Sequence, residues 1–352
     1  MLIRLVKKIK RFPNQKSYFD IGLAILRPIL SFFVIMTHCH NYKLDRGIFV
    51  LFLNLLHRFE FHVPIFFLMA FYFSHKTLIS KDYKKKVERL KRLIIPYFLW
   101  PIIYFFLNKF FMKFFKINDI PLMQLRNQFL CGYNFMIALW FQCNLILITI
   151  FYMLIILIFK RYANLVLTII SIEGLICQYN GTNNAFFSRR FPNYQRSFGK
   201  ILEMFPYSVA GFLFASLGII KGLKRANIQV LIATVYFLYF LGKHNVIPII
   251  KGYSYTGFKL CVTSIGVFIC FAMFPSEAIK NKNVVNLIKI LTKHTGGVYY
   301  CHMIVHRILK EYIKTIRNRT IKGCFIIYVI SYIFCLISSF FFGKTVFRHL
   351  FE

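Results

Sequence analysis

Ten apolar stretches, around residues 21–38, 59–73, 93–112, 137–159, 162–178, 201–220, 228–241, 253–274, 295–310 and 323–342, are separated by short polar segments. A hydrocarbon layer about 30 Å thick takes about 20 helical residues to cross. A chain inside it must satisfy its own backbone N–H and C=O groups, which a helix does. The pattern therefore predicts an all-α integral membrane protein, a polytopic bundle of about ten transmembrane helices. Composition excludes the alternative of one soluble domain: 58% of 352 residues are hydrophobic, too many for a water-facing surface.

The formal net charge of +35 would suggest a nucleic-acid partner if the basic residues gathered on a soluble face. Most sit between apolar runs instead, where lysine and arginine meet water and anionic head groups, so membrane lipids and not nucleic acid are the expected partners. Lys7, Lys8, Lys10 and Arg11 precede the first stretch, and KKKVERLKR follows the second. The positive-inside rule then places the amino terminus in the cytoplasm, and an even number of spans returns the carboxyl terminus there. The first 20 residues are basic and lack the apolar core of a cleavable signal. The chain reads as a basic cytoplasmic segment (1–20), a transmembrane domain (21–342) and a short cytoplasmic tail (343–352). Its nine cysteines form no C-x-x-C pair and mostly lie in apolar runs as small hydrophobes. Cys39 and Cys131, both on the outer side, are the pair that could bridge.

Within the first stretch, IGLAILRPILSFFVIMTHCH, stand an arginine and a histidine, Arg27 and His38. At about 100° per residue eleven steps return to nearly the same azimuth, with a rise of about 16 Å. Ionisable groups are expensive in hydrocarbon and are kept there for a task, so two on one face at different depths suggest chemistry. In VERLKRLIIPYFLW, Arg89 and Arg92 are three apart and share a helical face at the membrane edge. They serve either as a topological anchor, a role Lys84, Lys85 and Lys86 already fill, or as a bidentate clamp for a cytosolic phosphorylated cofactor.

These segments resemble the membrane acyltransferase family 3. RPILSFFVIMTH is similar to its first helix, in which ten residues separate a basic residue from a histidine. FHVPIFFLMAFYF resembles its second helix, RLKRLIIPYFLW its Arg-x-x-Arg approach to the third, and ALWFQ its Leu-Trp-Phe motif. PYSVAGFLFASLG is similar to its Gly-centred helix and GVYYCHMIV to its late Ile-Tyr-x-x-His motif. The order is kept from about residue 18 to 345. Two positions depart: Met69, Ala70 and Phe71 replace the usual Ser-Gly-Phe, and Met303 replaces the proline after the late histidine.

The resemblance implies transfer of an acyl group, most often acetyl from acetyl-CoA, to a hydroxyl of a cell-surface or lipid-linked glycan in a bacterial cytoplasmic membrane. Arg89 and Arg92 would dock the CoA phosphates, and the thioester arm would run outward past Arg27 to His38. His38 is expected to act as general base, with an acyl-histidine as the alternative. An imidazole base is usually oriented through its other nitrogen, for which Glu60, Glu173 and Glu203 are candidates, Glu173 lying deepest in an apolar run. His62, Trp140 and His302 are expected to line the donor or acceptor path. His302 and His306 are four apart, but without an HExxH glutamate or a carboxylate cluster no metal site is expected. The rival reading is a translocator of polysaccharide or lipid-linked sugar without acyl chemistry.

Overall fold

The computed structural model describes residues 20–40, 61–115, 129, 139–179, 195–223, 258–275, 279–342, 345 and 350–351. Among them every regular element is a helix and there is no strand. The helices are α1 (Ile21–Cys39), α2 (His62–Ile79), α3 (Tyr83–Phe115), α4 (Leu139–Phe159), α5 (Ala163–Tyr179), α6 (Gln195–Ser216), α7 (Ile219–Leu223), α8 (Phe258–Ala272), α9 (Lys282–Lys293), α10 (Thr295–Tyr312), α11 (Lys314–Arg317) and α12 (Ile321–Phe342). Nine of the ten apolar stretches coincide with these helices, and 228–241 lies outside the described residues. Among the described residues four stretches are long and apolar enough to cross a membrane: Ile21–Cys39, Tyr83–Leu107, Leu139–Leu175 and Ile321–Phe342.

Helix α1 sits at the centre, packed against α2, α8, α9, α10 and α12. It starts where the Asp20 carboxylate accepts the Leu23 N–H at 3.1 Å, one of the orphan donors of a helix start. Close approach between helices depends on glycine. A Cβ on Gly22 would run into the Phe271 carbonyl of α8, and one on Gly211 into the Leu68 carbonyl of α2. Small residues allow such backbone contact in a membrane, where apolar side chains gain nothing by leaving lipid.

Helices α4 and α5 form a hairpin over a short 3-10 turn at Lys160–Tyr162, with Lys160 at φ 44°. The outward sides of α4, α5 and α12 are apolar: Leu157 is 70% exposed, Leu165 59% and Phe340 85%. Such a belt is unfavourable in water and matches hydrocarbon. The chain is an integral membrane protein on this ground and by its run of apolar helices.

Glu173 belongs to that outward side. It is exposed, beside Ile172 and Leu175, on a helix that packs against α4 and α6. The sequence pointed to it as a partner for His38 because it lies deep in an apolar run. Depth along a helix does not fix azimuth, and here the azimuth is outward. Cys39 is a buried free thiol, and Cys131, the residue it could bridge to, lies outside the described residues.

Candidate functional site

The last turn of α1, the first of α2 and the middle of α10 meet around imidazoles. His38 is half-buried, and its ring stacks on that of His302 with centroids 5.6 Å apart and planes 25° from parallel. On the neighbouring residue of α1, the Thr37 hydroxyl lies 3.2 Å from Nε2 of His62 and also donates to the Phe33 carbonyl at 3.0 Å. The Arg319 guanidinium donates to the His38 carbonyl at 2.8 Å, tying the end of α1 to the turn before α12. Among the described residues neither ring nitrogen of His38 has a hydrogen-bond partner, which leaves both available to a substrate.

The state of His302 follows from its contacts. Its Nδ1 lies 2.7 Å from the Tyr299 carbonyl and 3.3 Å from that of Val298. A carbonyl only accepts, so Nδ1 carries the proton, and when the ring is neutral its lone pair is at Nε2. That atom is buried without a partner in a residue that is 0% exposed. An unmatched buried acceptor costs about 1–3 kcal/mol, and a ligand proton would offset it.

The backbone around His302 is held by a residue the sequence did not single out. Tyr104 of α3 donates its hydroxyl proton to the Tyr300 carbonyl at 2.8 Å and accepts the Ile304 N–H at 3.1 Å. These two groups ordinarily pair with each other across one helical turn. The Tyr104 oxygen thus bridges the turn of α10 that carries His302. Trp100 stacks on Tyr300 one turn back along α3, at 5.9 Å.

Deeper in the bundle the rings of Phe67, Phe141 and Tyr299 pack together, Phe141 being 4.8 Å from Phe67 and 5.5 Å from Tyr299. Trp140 is buried beside them, and Gln142 donates to the Leu93 carbonyl at 2.8 Å. One turn on from Phe141, Asn144 is 0% exposed, with neither its amide nitrogen nor its amide oxygen partnered. Fully buried carboxamides of this kind are rare in folded proteins.

Further along α2 from His62 stand the arginines. The Arg27 guanidinium lies over the Phe73 ring, 4.8 Å from its centroid, and that of Arg89 lies 5.9 Å from the Phe71 ring. Arg89 also reaches the Ala70 carbonyl at 3.5 Å, and its Nε is buried without a partner. Neither has a carboxylate partner among the described residues. Arg92 behaves otherwise. It is exposed and paired with Glu88 of its own helix at 3.6 Å. The two arginines therefore do not present side-by-side forks: three residues of helix turn one inward across α2 and leave the other at the surface.

The structure thus brings together His38, His302 and, through Thr37, His62. It places Trp140 one residue from the ring cluster and puts Arg27 and Arg89 against the same turn of α2, residues 70–73. Glu173 is not part of this arrangement, and Glu60 lies outside the described residues. Among the described residues no group of three metal-ligating side chains converges. In the comparisons with known proteins, a family model described as an acyltransferase domain matches residues 20–344. No curated protein and no solved structure matches the chain.

Proposed function

The chain belongs to acyltransferase family 3, and from that premise we propose that it moves an acyl group, foremost acetyl, from cytosolic acyl-CoA to a hydroxyl of a cell-surface or lipid-linked glycan. In this reading about ten helices cross a bacterial cytoplasmic membrane with both termini inside, so His38 faces the outer side. One observation carries the proposal above all others. A half-buried imidazole with both nitrogens open is stacked on a second whose Nε2 is buried and unpartnered, eleven residues along one helix from a guanidinium that has no counter-ion among the described residues.

The donor enters from the inner side. Arg89, with a buried unpartnered Nε, supplies a planar donor to the CoA phosphates. Arg92 adds positive charge at the mouth. Arg27 attracts the polar part of the arm on its way outward, about 16 Å below His38 along the helix axis. Asn144 supports the same path, since its free amide offers both a donor and an acceptor to an amide-containing chain such as the CoA arm.

His38 accepts the proton of the acceptor hydroxyl as that oxygen attacks the thioester carbonyl. The C–O bond forms, the C–S bond breaks, and the imidazolium returns the proton to the departing thiolate. His302 holds a lone pair beside this centre and can accept the hydroxyl proton in place of His38, then return it to the thiolate. Trp140 and His62 border the acceptor side. No metal enters these steps.

The test uses purified protein in vesicles, with labelled acetyl-CoA on the side of the amino terminus and a glycan acceptor on the other. Ester should form, and His38→Ala should abolish it without changing protein abundance. Full transfer by His38→Ala would remove the base assignment. Glycan export without any ester would favour translocation.

A further inference from the structure

Helix α9 has three faces. At about 100° per residue, Ile288 and Thr292 share one, and both are buried against the start of α1, where Ile21 and Ala24 complete a small apolar cluster. Lys282, Lys289 and Lys293 share a second, and all three are exposed. Val284, Leu287 and Ile290 form the third and are 40%, 54% and 46% exposed. The packing face accounts for the helix being attached. It does not account for three branched apolar side chains in a row on the far side.

The attachment is specific. Pro28 in α1 has no N–H, so the Ala24 carbonyl lacks its intrahelical donor. The Thr292 hydroxyl lies 2.7 Å from that carbonyl and 2.8 Å from the Ile288 carbonyl of its own helix. Its one proton serves both acceptors. The Asn281 side chain caps the start of α9 by accepting the Asn283 N–H at 2.9 Å. A capped, twelve-residue helix is thereby fixed to α1 one turn before Arg27, at the end where α1 enters the membrane.

We propose that α9 is an interfacial helix that binds an anionic phospholipid surface and so anchors the entry of α1. The apolar face sits at the acyl boundary and the lysines, about 140° round the helix, meet the head-group phosphates. A lipid surface supplies both chemistries at that angle, apolar below and negative above. Lys280, exposed just before the cap, adds to the charge. A second copy of the chain would cover the apolar stripe but would bring its own lysines against these.

The experiment is depth-dependent quenching on the full chain in lipid nanodiscs. Leu287→Trp is read against the parent protein, with Val284→Trp as a second probe of the same face. Lipids brominated near the head group or at the chain end serve as quenchers, in zwitterionic discs and in discs containing phosphatidylglycerol. Quenching is expected from the shallow bromines, stronger with phosphatidylglycerol, and that gain should vanish on adding Lys280→Gln, Lys282→Gln, Lys289→Gln and Lys293→Gln together. Unquenched, water-like emission at both positions would overturn the proposal. So would quenching that ignores lipid charge, or burial of the probes only in discs holding two copies.

Discussion

The rings of His38 and His302 are stacked although the two residues are 264 positions apart in the chain, with ring centroids 5.6 Å apart. The stack leaves the edges of His38 free while His302 is locked by Nδ1 to two carbonyls of its own helix. In the proposed reaction the first ring meets substrate and the second holds a fixed lone pair beside it. Replacing His302 by phenylalanine keeps a ring in the stack but removes that lone pair. Acyl transfer in His302→Phe should fall by about 10²-fold or more, the scale of a lost acid–base group. Turnover measured in vesicles checks this, and a variant within a few-fold of the parent would reduce His302 to packing.

The arginines separate in a second measurement. Arg89 is turned inward over Phe71, with an unpartnered buried Nε, whereas Arg92 is exposed and paired with Glu88. Exposed pairs of that kind contribute about 0–1 kcal/mol. Arg89→Lys keeps the charge and loses the planar fork, and KM for the acyl-CoA should rise about tenfold, the loss of roughly 1.4 kcal/mol of binding. Arg92→Lys should change KM less than about threefold on the same scale. Equal effects would mean that the charge alone matters.

Asn144 offers a test that sets stability against activity. An unpaired buried amide destabilises the fold, and a nonpolar residue of similar shape removes that cost. Asn144→Leu should raise the thermal midpoint of the purified protein and lower the rate of acyl transfer. Loss of stability together with unchanged transfer would show that the carboxamide has a structural partner and no part in the path.

The helices were legible in the sequence for a physical reason: apolar length specifies a buried helix, and spacing on one helix fixes which residues share its face. Arg27 and His38 could be placed that way. Contacts between helices could not. Whether Glu173 faced the bundle or lipid depended on which side of α5 met α6, and no single-helix pattern encodes that. The inward turn of Arg89 and the outward turn of Arg92 depended likewise on where α2 lies. Helix α9 was missed because its lysines break up the apolar run on which span finding depends. Asn144 had a signal, an amide two residues after Gln142 in an apolar run, whereas Tyr104 stood among several aromatic residues and had none.

Tyr104 supplies the last prediction. Its hydroxyl takes the Tyr300 carbonyl and the Ile304 N–H, the groups flanking His302 on α10. Removing it leaves those two free to pair with each other, as an uninterrupted helix would have them. The turn should close up, and the His302 ring, tied to Val298 and Tyr299 on the same turn, should shift with it. Two hydrogen bonds of about 1 kcal/mol each are exchanged for one, so Tyr104→Phe should fold with a modestly lower thermal midpoint. Because productive geometry is sensitive to small displacements, kcat should fall about tenfold while KM for the acyl-CoA, which depends on Arg89 at the other end of the path, stays unchanged. Tyr104 would then be a positioning residue acting through His302, and the double variant Tyr104→Phe, His302→Phe should be no slower than His302→Phe alone. Additive losses in the double variant would show that Tyr104 acts on catalysis by some route other than His302.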